Sequence, residues 1–126
     1  MPLNVTVEER IERVFLIQVS GSIDSTTHVD LRNEVEAILK KSPKLIIFNL
    51  KDVAFVSSAG IGVVLMAEQT LKRHGGNVLM VNVQPQVRKV FDIVKALPSQ
   101  QIFASVEEMD HYLATIQRKV KDGEIK

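Results

Sequence analysis

Continuous apolar runs alternate along this chain with segments of helical period, and that alternation restricts the fold more than any other feature of the sequence. KLIIFNL at 44–50 suits a strand buried on both faces of a sheet, and NVLMVNV at 77–83 is a second buried-strand candidate. Between them, from Ile61 to about His74, the residues Ile61, Val64, Leu65 and Leu71 recur at helical intervals and stop at Gly75-Gly76. Strands that alternate with helices argue for an α/β fold with a mixed sheet, its parallel members joined by helical crossovers. The apolar runs at 45–48 and 78–81 are expected to form the middle of that sheet.

The flanks extend the pattern. Residues 13–19, RVFLIQV, read as a strand ending at Ser20-Gly21, and a weaker strand from Val5 to Glu8 can pair with it as a hairpin. Leu31, Val35, Ile38 and Leu39 place an amphipathic helix over Thr27 to about Lys40, with Ser25, Thr26 and Thr27 as candidate N-caps. Pro85 suits the first turn of a helix through Val87, Val90, Phe91 and Val94, which Pro98 closes. Gln101–Ala104 is a candidate short edge strand. Ser105 then opens a last helix containing Met109, Tyr112, Leu113 and Ile116, and the charged residues from about 118 to 126 are expected to fray. The reading is one domain over 1–126, with a mixed central sheet of four to five strands and about four helices.

Size and charge narrow the function. A chain of 126 residues fits one core and leaves no room for a separate catalytic domain. Sixteen basic against fifteen acidic residues give a net charge of +1, which supplies no field for nucleic acid or an anionic membrane. The absence of cysteine removes disulfides, thiolate chemistry and Cys-based zinc sites. The apolar runs fall far short of the ~20 residues of a membrane span, and the N-terminus lacks the apolar stretch of a signal peptide. A cytoplasmic protein without a membrane partner is expected. His28, His74 and His111 are far apart with no metal-ligand spacing, no Gly-x-Ser-x-Gly elbow occurs, and Gly60-Ile-Gly62 is not followed by Gly-Lys-Ser/Thr. No enzyme, metal or cofactor is expected.

In an open α/β sheet, partners engage the loops beyond the carboxyl ends of the strands. Two such loops are candidates: 21–27, containing Asp24, and 52–62, containing Ser57, Ser58, Ala59, Gly60 and Gly62. A hydroxyl at 57 or 58 can cap free backbone amides of the following helix. A phosphoryl group there would meet the same amides and the positive end of the helix dipole. Glycines at 60 and 62 allow either tight helix packing or close approach by a partner. Local sequence leaves both readings open.

FVSSAGIGVVL at 55–65, preceded by LIIFNLKDV and followed by LKRHGGNVLMVNV, resembles the signature of the STAS-domain anti-sigma factor antagonists. GSID at 21–24 is similar to that family's Gly-x-apolar-Asp turn, and VRKVFDIVKALPSQQIFAS is similar to its closing helix, strand and helix. The resemblance implies a STAS-like fold and places a phosphorylated serine at Ser58, with Gly60 and Gly62 as the two glycines after it and Asp24 as the acidic residue of the neighbouring loop. The family usually has Asp just before the phosphoacceptor. Here that residue is Ser57, which makes it a rival acceptor.

What the resemblance implies is a protein-binding switch. A face comprising Asp24, Ser57, Ser58, Ala59, Gly60 and Gly62 would bind an anti-sigma factor that is also a serine protein kinase. Phosphorylation by that kinase would release the complex, and a metal-dependent serine phosphatase would restore it. The domain itself would be a monomer or weak dimer. A constitutive STAS scaffold without a phospho-switch is the alternative.

Overall fold

The structure is a computed structural model that describes residues 3–96 and 103–125. The expected hairpin is present: β1 (Asn4–Ile11) runs antiparallel to β2 (Val14–Ser20), with Val7 opposite Ile17. Its tight connection needs Arg13 in the left-handed region, at φ 66°, and Glu9 steadies the turn by accepting the Arg13 N–H at 2.9 Å.

Two helical crossovers follow. Helix α1 (His28–Leu39) leads to β3 (Leu45–Asp52), parallel to β2 with Leu16 beside Ile47. Helix α2 (Ser58–Arg73) leads to β4 (Asn77–Val81), parallel to β3 with Ile47 beside Leu79. Two further helices, α3 (Pro85–Ala96) and α4 (Val106–Lys121), complete the described elements. Among the described residues the sheet order is β1-β2-β3-β4, a mixed four-stranded sheet accompanied by four helices. Helix α1 packs beside α2, and α3 beside α4.

The run at 45–48 lies inside the sheet, and among the described residues β4, which carries 78–81, pairs with β3 alone. Val78 is buried whereas Leu79 is 46% exposed, the alternation of a strand packed on one side. The expected strand at 101–104 and the stop at Pro98 fall largely on residues outside those described. Phe103 and Ala104, which are described, lie in a bend.

Helix ends follow local chemistry. Helix α2 closes where the paired glycines stand: Gly75 takes φ 78° and the Gly76 N–H donates to the Leu71 carbonyl at 2.7 Å. Helix α4 opens with a reciprocal pair, Ser105 Oγ accepting the Glu108 N–H at 3.1 Å and Glu108 Oε2 accepting the Ala104 N–H at 2.9 Å. The segment expected to fray from about 118 stays helical through Lys121, and the Glu124 N–H returns to the Lys119 carbonyl at 2.8 Å with Gly123 at φ 77°. The core is one cluster that includes Phe15, Ile17, Ile46, Phe48, Phe91 and Leu113.

Candidate functional site

The loops that leave the carboxyl ends of β2 and β3 are zipped to one another. Gly21 N–H donates to the Asp52 carbonyl at 3.1 Å, Ile23 N–H to Phe55 at 3.1 Å, and Ser57 N–H to Ile23 at 2.8 Å. Ile23 and Val56 form a short parallel bridge, and both side chains are fully buried. The two chains therefore emerge side by side, with Asp24 one residue past the bridge in the first and Ser58 two residues past it in the second.

Asp24 organises its own loop. Its Oδ1 accepts the Thr26 and Thr27 backbone N–H groups, each at 2.9 Å, and the Thr26 hydroxyl at 2.8 Å. These donors, the Thr27 amide foremost, hold the carboxyl at about 2, below its ordinary 3.8. Sequence placed the cap of α1 among Ser25, Thr26 and Thr27. Thr27 does occupy the N-cap position, but its side chain makes no capping bond. The Thr27 hydroxyl instead accepts the Asp24 N–H at 2.9 Å and donates to the Ser22 carbonyl at 2.7 Å. His28 Nδ1 lies 3.1 Å from the Asp24 carbonyl oxygen, and its other ring nitrogen lies 3.1 Å from Arg32 Nη2.

Ser57 and Ser58 are adjacent and differently placed. Ser57, 5% exposed, is the N-cap of α2, and its Oγ accepts the Gly60 N–H at 3.3 Å. Ser58 is the first helical residue and is half-buried; among the described residues its hydroxyl makes no hydrogen bond to protein, and its N–H donates to Asp110 Oδ1 at 2.8 Å. Ala59 is half-buried beside it.

The two glycines also separate. Gly60 is buried, and a Cβ there would lie 2.6 Å from Ile23 Cγ2 and 2.8 Å from Val56 Cγ2, so the bare backbone is what lets α2 start against the bridge. Gly62 is exposed, and a Cβ there would meet nothing within 4 Å.

Three polar residues not singled out from the sequence hold the second loop from behind. Gln117, 2% exposed, accepts the Val56 N–H and donates to the Val56 carbonyl, both at 2.9 Å. Gln86 Nε2, from α3, donates to the Ala54 carbonyl at 3.0 Å. Asp110 takes the Ser58 N–H. A trace of this was present in the sequence: Gln117 stands four residues after buried Leu113, where the apolar stripe of α4 calls for an apolar side chain.

No group of three or more His, Cys, Asp or Glu side chains capable of holding a metal occurs among the described residues. No helix there is long and apolar enough to cross a membrane. Together these observations define an α/β domain whose strand-end loops present a serine at a helix start beside a fixed carboxylate. The chain belongs to the STAS domain family, whose model matches residues 5–109.

Relatives share most of its length. The chain is 29% identical over 93 residues to an anti-sigma F factor antagonist of Paenibacillus polymyxa, covering 72% of this chain and 80% of that one. It is likewise 29% identical over 93 residues to the anti-sigma-B factor antagonist of Bacillus subtilis, covering 74% and 84%. The fold matches the anti-sigma factor antagonist SpoIIAA in its unphosphorylated form, with a TM-score of 0.67 at 23% identity over 88% of this chain and 97% of that one. It also matches the Bacillus SpoIIAA in its phosphorylated form, with a TM-score of 0.63 at 24% identity over 86% and 99%.

Proposed function

We propose that this chain is an anti-sigma factor antagonist: a binding module without catalysis of its own, whose affinity for an anti-sigma factor is set by phosphorylation of Ser58. The observation that carries the reading is the contrast between the two serines. The Ser57 hydroxyl is buried and engaged in capping, whereas Ser58 is half-exposed with an uncommitted hydroxyl beside the Asp24 loop. Of the two acceptors, Ser58 is the one a kinase can reach without unwinding the first turn of α2. The names of the relatives support the same role.

In this mechanism the partner is an anti-sigma factor that is also a serine kinase, and it docks on Asp24, Ser58, Ala59 and Gly62. Gly60 acts beneath that surface by letting the two loops close. Attack of Ser58 Oγ on the γ-phosphorus of ATP forms the phosphoester and breaks the bond to ADP, while the hydroxyl proton passes to a base of the kinase. A metal-dependent serine phosphatase hydrolyses the ester with water and restores the hydroxyl. The added charge of about −1.5 to −2 opposes a close, desolvated contact without refolding the domain. A coupling of about 1–3 kcal/mol corresponds to roughly 5- to 150-fold weaker binding.

The test compares binding of the cognate anti-sigma factor to the parent, Ser58→Ala and Ser58→Asp. Ser58→Ala should bind as the unmodified parent does and resist labelling by kinase and ATP, and Ser58→Asp should lose affinity within that range. Labelling of Ser58→Ala as strong as that of the parent would show that another residue is the acceptor.

A further inference from the structure

The carboxylate that takes the Ser58 N–H comes from α4, 52 residues further along the chain. Asp110 is half-buried, and none of the ion pairs among the described residues includes it. Its hydrogen-bond partner there is the amino end of α2, where N–H groups that lack intrahelical acceptors and the helix dipole favour an anion. A phosphoryl group on Ser58 Oγ would occupy that same end of the helix. Two anions would then compete for one set of amides a few ångströms apart.

We propose that Asp110 makes α4 a reporter of the state of Ser58: docked on α2 while the serine is free, and expelled from it when the serine is phosphorylated. This deepens the reading of Ser58 as the phosphoacceptor and rests on it. The release stops partway along α4. Leu113 is fully buried, and Gln117 grips both polar groups of Val56, so the helix stays anchored from its middle onward. What loosens is the first half, which carries Val106 and Tyr112, 63% and 40% exposed. A partner that touches this stretch as well as the serine meets two changes for one modification: an added charge, and a helix half freed from its mooring.

The experiment uses the full chain with phosphoserine installed at position 58 during synthesis, so its outcome does not depend on any kinase. Backbone hydrogen exchange is measured for parent and Asp110→Asn, each with and without the phosphate. Asparagine keeps an oxygen to accept the Ser58 N–H and removes the charge. In the parent, phosphorylation should speed exchange of the Ser58 amide and of residues 107–112 about tenfold, the effect of a phosphate and a carboxylate a few ångströms apart in a water-like dielectric. In Asp110→Asn the same modification should change exchange less than about twofold.

Salt supplies a second reading in the parent alone. The acceleration should shrink toward about 1 M salt, where the screening length falls to about 3 Å. Equal acceleration in parent and Asp110→Asn, none in the parent, or an effect indifferent to salt would each overturn the proposal. Failure of the cognate kinase to label Ser58 would instead sink the functional reading while leaving this coupling measurable.

Discussion

In the loop after β2, Asp24 finds its hydrogen-bond partners within three residues, whereas the loop after β3 depends on Gln117 and Asp110, 61 and 52 residues away. Both loops reach the same end of the sheet and are bonded edge to edge through Ile23 and Val56. The side-chain bonds that shape the first come from within it, whereas those that shape the second come from α3 and α4. An order made of local bonds is difficult to alter from a distance, and an order supplied from elsewhere in the chain can be altered there. The loop carrying the candidate phosphoacceptor is the one built the second way.

The sharpest way to break this contrast is to remove the distant support. Gln117→Met keeps the length of the side chain and leaves the Val56 N–H and carbonyl without partners in a buried position. Orphaned buried groups of this kind cost about 1–3 kcal/mol each, so the variant should lose about 2–6 kcal/mol in denaturant unfolding. Exchange of amides 53–57 should quicken, while those of Thr26 and Thr27 should stay protected by Asp24. A loss below about 1 kcal/mol, or equal quickening in both loops, would erase the distinction.

The local loop is probed through its charge. The Thr26 and Thr27 donors favour the ionised Asp24, which holds at about 2 in the folded protein against an ordinary 3.8. A carboxylate with a lowered folded value contributes stability above its unfolded value and loses it as pH falls through the folded one. The window is therefore about pH 4 down to about pH 2. Taken whole, the shift corresponds to about 2 kcal/mol, and partial exposure of the group reduces that to on the order of 1–2 kcal/mol. Asp24→Asn should be less stable than the parent by that amount at neutral pH, and the gap should close across this acid window. A gap independent of pH would show that something other than the carboxylate's charge holds the loop.

The same division governs what could be read in the sequence. The hairpin, the two crossovers, the Gly75-Gly76 stop and the Ser105 start each depend on residues near one another in the chain, and each was legible. Asp24 was legible too, as the acidic residue of a turn between strand and helix. The one-sided burial of β4 was not, because which face of a strand is covered depends on elements outside it. Asp110, Gln86 and Gln117 were missed for a related reason. A polar residue on an amphipathic helix looks like any other solvated side chain until the loop it supports is brought against it. Only Gln117 carried a hint, standing where the stripe through Leu113 asks for an apolar residue. The division of roles between Ser57 and Ser58 likewise required the helix start to be fixed to the residue, since moving it by one reverses which hydroxyl is the cap.

The smallest expected effect on stability separates the packing glycine from the one offered to a partner. At Gly60 the missing side chain is filled by Ile23 and Val56, but at Gly62 nothing lies within 4 Å of where a Cβ would stand. Alanine is a better helix former than glycine by about 1 kcal/mol, so Gly62→Ala should raise stability by up to about that amount. If the partner's surface lies against the bare backbone of α2 at Gly62, the same methyl group stands in its way. Binding of the anti-sigma factor should then weaken about tenfold or more while the domain becomes harder to unfold, a divergence that loss of folding cannot imitate. Unchanged affinity would remove Gly62 from the contact surface and confine that surface to the side of α2 bearing Ser58 and the Asp24 loop.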